Sequence, residues 1–192
     1  MLEINGTVAD AVRGPDNTFN RDFRPLQNYQ LTDPGMISAV DGHMAFDTGN
    51  ESTLQALTVV NMSTYAYNEP ALSNVVFVKY DLHNTDRVQL LNNVYVGLFN
   101  DWDIGNSFNN NVRYSASDSL MYAFDPGTNG PYVAVAQLGN MASNFAIDNN
   151  YNATEDSLNF SLYPDQGLYS GFGDKEKKWA LHAQDYATER TG

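Results

Sequence analysis

The sequence predicts an all-β protein: an antiparallel two-sheet β-sandwich of jelly-roll type, with one short C-terminal helix. Three observations carry that prediction. Short amphipathic runs are separated by Gly, Pro and Asn turns. Aromatic residues make up 12% of the chain, Tyr foremost, and they suit half-buried strands. Only residues 174–186 read as a helix, with Asp174 as N-cap and Trp179 and Ala183 as an i, i+4 pair.

The elements follow in order. Residues 2–12 alternate in part around Gly6 and read as a short first strand. Residues 14–31 carry Pro15, Asp16, Asn17 and Pro25 and read as a long surface loop. Residues 36–46 read as a strand broken at Asp41-Gly42, a hairpin-type pair. Residues 54–67 form a strand ended by Asn68-Glu69-Pro70. Residues 75–82 are the most apolar run. Val76, Val78, Tyr80 and Leu82 share one face, Val75 and Phe77 the other, which suits a central strand covered on both sides. The link over 84–89 is short enough for an antiparallel hairpin to a strand over 90–99. Residues 120–124 and 132–138 are strands joined by the turn chemistry of Asp125-Pro126-Gly127. Residues 140–156 read mainly as loop, and 158–163 as a short strand stopped by Pro164. No repeat and no low-complexity linker divides the chain, so residues 1–192 are expected to form a single domain.

Composition excludes several functions. A net charge of −13 argues against nucleic acid and anionic membrane as partners and suits divalent cations. No run of apolar residues is long enough for a transmembrane helix. Without cysteine there is neither a disulfide framework nor a thiolate metal site. Asn occurs 23 times while charged residues are only 17%, so the surface is amide-rich and hydroxyl-rich more than ionic. No signal peptide is legible in residues 1–14, so an exported form is expected to be a mature part or an excised domain.

The stretch 92–111 is the strongest candidate site. An apolar strand runs into Asp101 and Asp103 on either side of Trp102, then into a loop of Gly, Asn and Ser. Carboxylates at i and i+2 of a strand end face one side, with Cα atoms roughly 6–7 Å apart. With Asn106, Asn109 and Asp118 they offer an all-oxygen shell for a hard cation, and Ca²⁺ is the cofactor expected. The spacing departs from an EF-type loop, with Gly105 fifth and Val112 twelfth. The alternative is that both Asp residues make caps or Asx-turns and Trp102 is a core anchor. A carboxylate pair acting on sugars is a third reading.

Asp47-Thr48-Gly49 matches the tripeptide of aspartic proteases, which need two such carboxylates sharing a proton. No second copy occurs, and Asn50 replaces the small residue usual there. His43, His83 and His182 lie far apart, and no Gly-x-Ser-x-Gly occurs, so a hydrolytic triad is unsupported. Tyr65, Tyr67, Trp102 and Tyr114 are candidates for a sugar-stacking platform or, more plainly, for core and rim.

The segments Val76-Phe77-Val78-Lys79-Tyr80-Asp81-Leu82-His83-Asn84, 91–99, Asp101-Trp102-Asp103-Ile104, Leu120-Met121-Tyr122 and Tyr132-Val133-Ala134-Val135 resemble an uncharacterised β-sandwich domain of large exported bacterial proteins. In those proteins it often lies beyond a subtilisin-like peptidase domain and before a C-terminal sorting segment. Lys177-Lys178-Trp179 resembles a later element of the same domain. The resemblance implies a secreted or cell-surface accessory module whose partners are neighbouring domains of the parent protein. It carries no catalytic residue, because the subtilisin motifs are absent.

The leading expectation is therefore a non-catalytic extracellular binding module, stabilised by Ca²⁺, with a polysaccharide or protein partner and no membrane insertion. A carbohydrate-active or peptidase domain using acidic residues is the first alternative. A structural spacer is the second.

Overall fold

The computed structural model describes residues 1–12, 19–86, 88, 90–100, 102–106, 110–115, 118–127, 130–139, 177–178 and 181–182. Its strands form three small antiparallel sheets. In chain order they are β1 (Leu2–Ile4), β2 (Thr7–Ala9), β3 (Arg24–Thr32), β4 (Val40–Asp47), β5 (Thr58–Ala66), β6 (Val76–Asn84), β7 (Val94–Val96), β8 (Asn111–Ser115), β9 (Leu120–Phe124) and β10 (Val133–Ala136). Lys177, Lys178, Leu181 and His182 have helical backbone. The rest of the expected helix, and the strand over 158–163, lie outside the described residues. The chain divides into two compact units, Met1–Ala11 with Asn20–Tyr95, and Val12–Phe19 with Val96–Gly192.

The first unit opens with a hairpin where one strand was expected. Asn5 and Gly6 both take positive φ, 51° and 83°. That is the backbone of a two-residue turn whose twist suits paired strands, and Asn-Gly is its preferred sequence. Ile4 therefore pairs with Thr7 and Leu2 with Ala9. Leu2, Ile4 and Ala9 are buried with Leu54, and Phe23 and Leu91 pack against them.

The main sheet has the order β3-β4-β5-β6. Two expectations fail here. Residues 24–32 form a strand, not a loop, because an edge strand tolerates Pro25. Asp41-Gly42 continues β4 instead of breaking it, with Gly42 opposite Thr64. Glycine is needed there, since a Cβ would land on the Tyr29 ring and the Thr64 hydroxyl.

A third expectation, that residues 75–82 and 90–99 pair as central strands, also fails. β6 pairs with β5 along nine residues and is an edge of the sheet. Val76 is 62% exposed and Val78 48%. The later strand shrinks to three residues in β7, which joins β1 instead. Asn93, at φ 50°, interrupts extended backbone just before it.

The register gives the main sheet two unlike faces. One carries Val60, Met62 and Thr64 of β5 beside Leu82, Tyr80 and Val78 of β6 and Phe46, Met44 and Gly42 of β4. The other carries Asp41, Tyr65 and Phe77 in one row, His43, Ser63 and Lys79 in the next, then Ala45, Asn61 and Asp81.

The second unit contains the sheet β10-β9-β8. Residues 111–115, of which only Asn111 was expected in the loop and the rest in no element, form its strand β8. The β8–β9 turn is tied by the Ser115 hydroxyl to the Asp118 carboxylate at 2.6 Å, and Ser119 takes φ 49°.

Candidate functional site

A shallow open groove of about 490 Å³ lies at one end of the polar face of the main sheet. Ile37, Tyr65, Tyr67, Leu72 and Phe77 line it. Tyr65 and Phe77 are direct cross-strand partners, which brings their side chains to one face. Tyr67 stands edge-on to Phe77, with ring centroids 5.8 Å apart and planes at 87°. Leu72 is presented by a turn in which its amide donates to the Glu69 carbonyl at 2.8 Å and its carbonyl accepts from the Val75 amide at 2.9 Å.

Ile37 is placed by a carboxylate. Asp41 accepts from the amides of Met36, Ile37 and Ser38 at 2.7, 2.8 and 2.9 Å, and from the Ser38 hydroxyl at 2.6 Å. The Ser38 oxygen accepts from the Ala66 amide at 3.1 Å, which ties this loop to β5. The Ser38 hydroxyl holds the Asp41 carboxyl below the usual aspartate range; burial opposes it, and the amides of Ile37, Ser38 and Met36 add to the lowering.

Beyond the groove the same face turns polar. Ser63, Lys79, Asn61, Asp81 and His43 follow in adjacent rows. Lys79 pairs with Asp81 at 2.8 Å. That hydrogen bond and the charge of Asp81 raise the Lys79 ammonium above its usual range, so it stays charged at neutral pH. Aromatic rings thus stand at one end of a row of amide, hydroxyl and charged groups.

Asp47, the acidic residue of the Asp47-Thr48-Gly49 tripeptide, ends β4. Asp47 is buried and gripped by Arg24, Nε to Oδ1 at 3.1 Å and Nη2 to Oδ2 at 2.6 Å. Its Oδ1 also accepts from the Gly49 amide at 2.9 Å. The side chain of Asn50 donates to the carbonyls of Arg21 and Phe23.

Of the five residues expected to hold a cation, Asp103 and Asn106 lie exposed in one loop of the second unit, and Asp118 is in the β8–β9 turn. Asp101 and Asn109 lie outside the described residues. Among the described residues no three His, Cys, Asp or Glu side chains cluster as metal ligands would. The loop is held by groups that the sequence reading passed over. The Asn110 side chain brackets Ile104, accepting from its amide at 2.9 Å and donating to its carbonyl at 2.6 Å. Buried Asp125 accepts from the Asn106 amide at 3.0 Å and from the Gly127 amide at 2.8 Å. Gly105, at φ 58°, leaves no room for a Cβ against Asp125. The Asp-Pro-Gly turn was the only sequence signal for that carboxylate.

Of the four aromatic candidates, Tyr65 and Tyr67 meet in the groove. Trp102 is exposed in the second unit, and the Tyr114 side chain lies outside the described residues. Phe77 completes the platform and was expected in the core; its register opposite Tyr65 was the missing signal. The second unit has an aromatic row of its own. Phe124 and Tyr132 stack at 5.6 Å, Tyr122 adjoins both, and the Arg113 guanidinium lies 5.2 Å from the Phe124 ring centre. Comparison with known protein families, curated proteins and solved structures finds no match for this chain.

Proposed function

We propose that the chain is a non-catalytic binding module of an exported bacterial protein, and that it holds a polysaccharide on the polar face of its main sheet. The observation that carries this reading is the groove of Tyr65, Tyr67 and Phe77 at the head of a row of hydrogen-bonding side chains. Sugar rings stack on the aromatics, and hydroxyls bond to Ser63, Asn61 and the Lys79–Asp81 pair. Neighbouring domains of the parent protein are the other partners, as the resemblance to exported accessory domains implies. The architecture we propose is the two-sheet sandwich, because the apolar face bearing Val60, Met62 and Leu82 suits a second layer. Affinity electrophoresis through gels containing soluble glucans, xylans or mannans tests the function: retardation in at least one gel supports it, and free migration in all of them counts against it.

A Ca²⁺ ion at the Asp101–Asp103 corner is a second, separable proposal. Its support is that Asn110 and Asp125 fix the loop carrying Asp103 and Asn106, so a cation would meet a preformed backbone. Binding to the folded state alone raises stability in proportion to the logarithm of ligand excess. Millimolar Ca²⁺ is then expected to raise the Tm above that in EDTA, and Asp103→Asn to remove the difference. Equal melting in both buffers discards the ion and leaves the module reading intact.

A further inference from the structure

We infer that β6 is a self-complementary edge through which two copies of this chain pair antiparallel about Tyr80. β6 ends the sheet order, and among the described residues no strand pairs with the outer side of its Val76–Leu82 stretch. The amide of Thr85 donates to the carbonyl of Leu57 at 3.0 Å, which sets the phase of the ladder. In an antiparallel pair, bonded and non-bonded positions alternate. Phe77, Lys79, Asp81 and His83 therefore bond to β5, and Val76, Val78, Tyr80 and Leu82 point their N–H and C=O groups outward. A row of outward groups on a long regular strand is a template for another strand.

The sequence of the edge selects its partner. Tyr80 is the central residue of a nine-residue strand. A two-fold axis through Tyr80 matches all nine residues and places the outward groups of Tyr80 against those of its copy. Lys79 then faces Asp81 of the second chain, and Asp81 faces Lys79, at the non-bonded positions where side chains approach closest. Val78 meets Leu82 on the opposite face. An axis through Lys79 or Asp81 would set like charges against each other and leave the outward groups out of phase. The whole chain carries a net charge of −13, yet on this strand the single Lys and single Asp cancel. The strand itself therefore adds no net charge to the contact, and the repulsion between the two acidic chains is screened at physiological salt.

Sedimentation equilibrium of the full 192-residue chain tests the inference, at about 0.15 M salt, where the repulsion of the two acidic chains is screened, and up to about 100 µM, a range that spans a micromolar dissociation constant. A monomer–dimer equilibrium is expected. Asp81→Lys sets Lys against Lys and Lys79→Asp sets Asp against Asp; each alone is expected to weaken the dimer by about tenfold or more. Mixed in equal amounts, the two variants regain opposite charges at both positions and are expected to form a heterodimer, which a misfolded variant would not do. Tyr80→Pro removes an outward N–H and no bond to β5, and is expected to give a monomer with unchanged β-sheet circular dichroism. A wild-type chain that stays monomeric, or a dimer indifferent to Asp81→Lys, overturns the inference.

Discussion

Arg24 grips Asp47 through two near-parallel bonds, with one partner half exposed and the other buried. The pair joins the first residue of β3 to the last of β4. It also gives the Asp47-Thr48-Gly49 turn a structural bond. A protease aspartate faces a second carboxylate and shares its proton. This one faces a guanidinium fork, and the bond to Asp47 and then the charge of Asp47 raise Arg24 above its usual range.

Asp47→Asn is therefore expected to act on stability. It removes an acceptor from a buried site and leaves the guanidinium half matched. Thermal melting should show a Tm lower by about 2–6 °C. Arg24→Lys, which replaces the fork with a point charge, should lower it less. Unchanged melting in Asp47→Asn would show that the pair contributes nothing to the fold.

Asp41 predicts a pH dependence. Its carboxyl is held below the ordinary value of 3.8, first by the Ser38 hydroxyl and then by backbone amides. A depressed folded pKa adds stability that is fully present above the unfolded pKa and is lost as pH falls through the folded one. Asp41→Asn should thus be less stable than the wild type at pH 7, and the gap should close as pH falls below about 4. Melting curves at pH 7, 5, 4 and 3 give the comparison. A gap that stays constant with pH would mean that the carboxylate charge has no part in holding the 36–38 loop.

Gly42 predicts a coupling. A Cβ there would displace the Tyr29 ring and break the 2.6 Å bond between the Tyr29 and Thr64 hydroxyls. Gly42→Ala is expected to cost about 1 kcal/mol, the net worth of an ordinary hydrogen bond. In a Tyr29→Leu, Thr64→Ala background, which removes both obstructing hydroxyls, most of that cost should vanish, because residues in contact do not act additively. Equal costs in both backgrounds would place the strain in the backbone.

The pattern of legibility has a physical basis. β6, β9 and β10 were read within two residues of their observed bounds, and β5 was read with its end nearly right and its start four residues early, because alternating apolar residues and an Asn-Glu-Pro or Asp-Pro-Gly turn mark them. β3 was missed because its side chains are largely exposed and Pro25 looks like a breaker; edge position, a tertiary property, permits both. The β1–β2 hairpin was legible in Asn5-Gly6 but passed over, since each strand has only three residues. Pairing was the hardest to read. Nothing in the composition of residues 90–99 says that β7 joins β1, a partner distant in sequence. The groove was half legible: Tyr65 and Tyr67 were named, but Phe77 needed the register and Ile37 needed the Asp41 cradle.

The most direct test of the central claim is affinity electrophoresis of the wild type, Tyr67→Ala and Tyr132→Ala through gels containing soluble neutral polysaccharides. Tyr67 lines the groove, whereas Tyr132 belongs to the aromatic row of the other unit. The account predicts that at least one polysaccharide retards the wild type and Tyr132→Ala alike. It predicts that Tyr67→Ala binds about tenfold more weakly, as expected for a lost stacking contact of about 1.5 kcal/mol. No retardation by any polysaccharide, or equal retardation of Tyr67→Ala and the wild type, would contradict it.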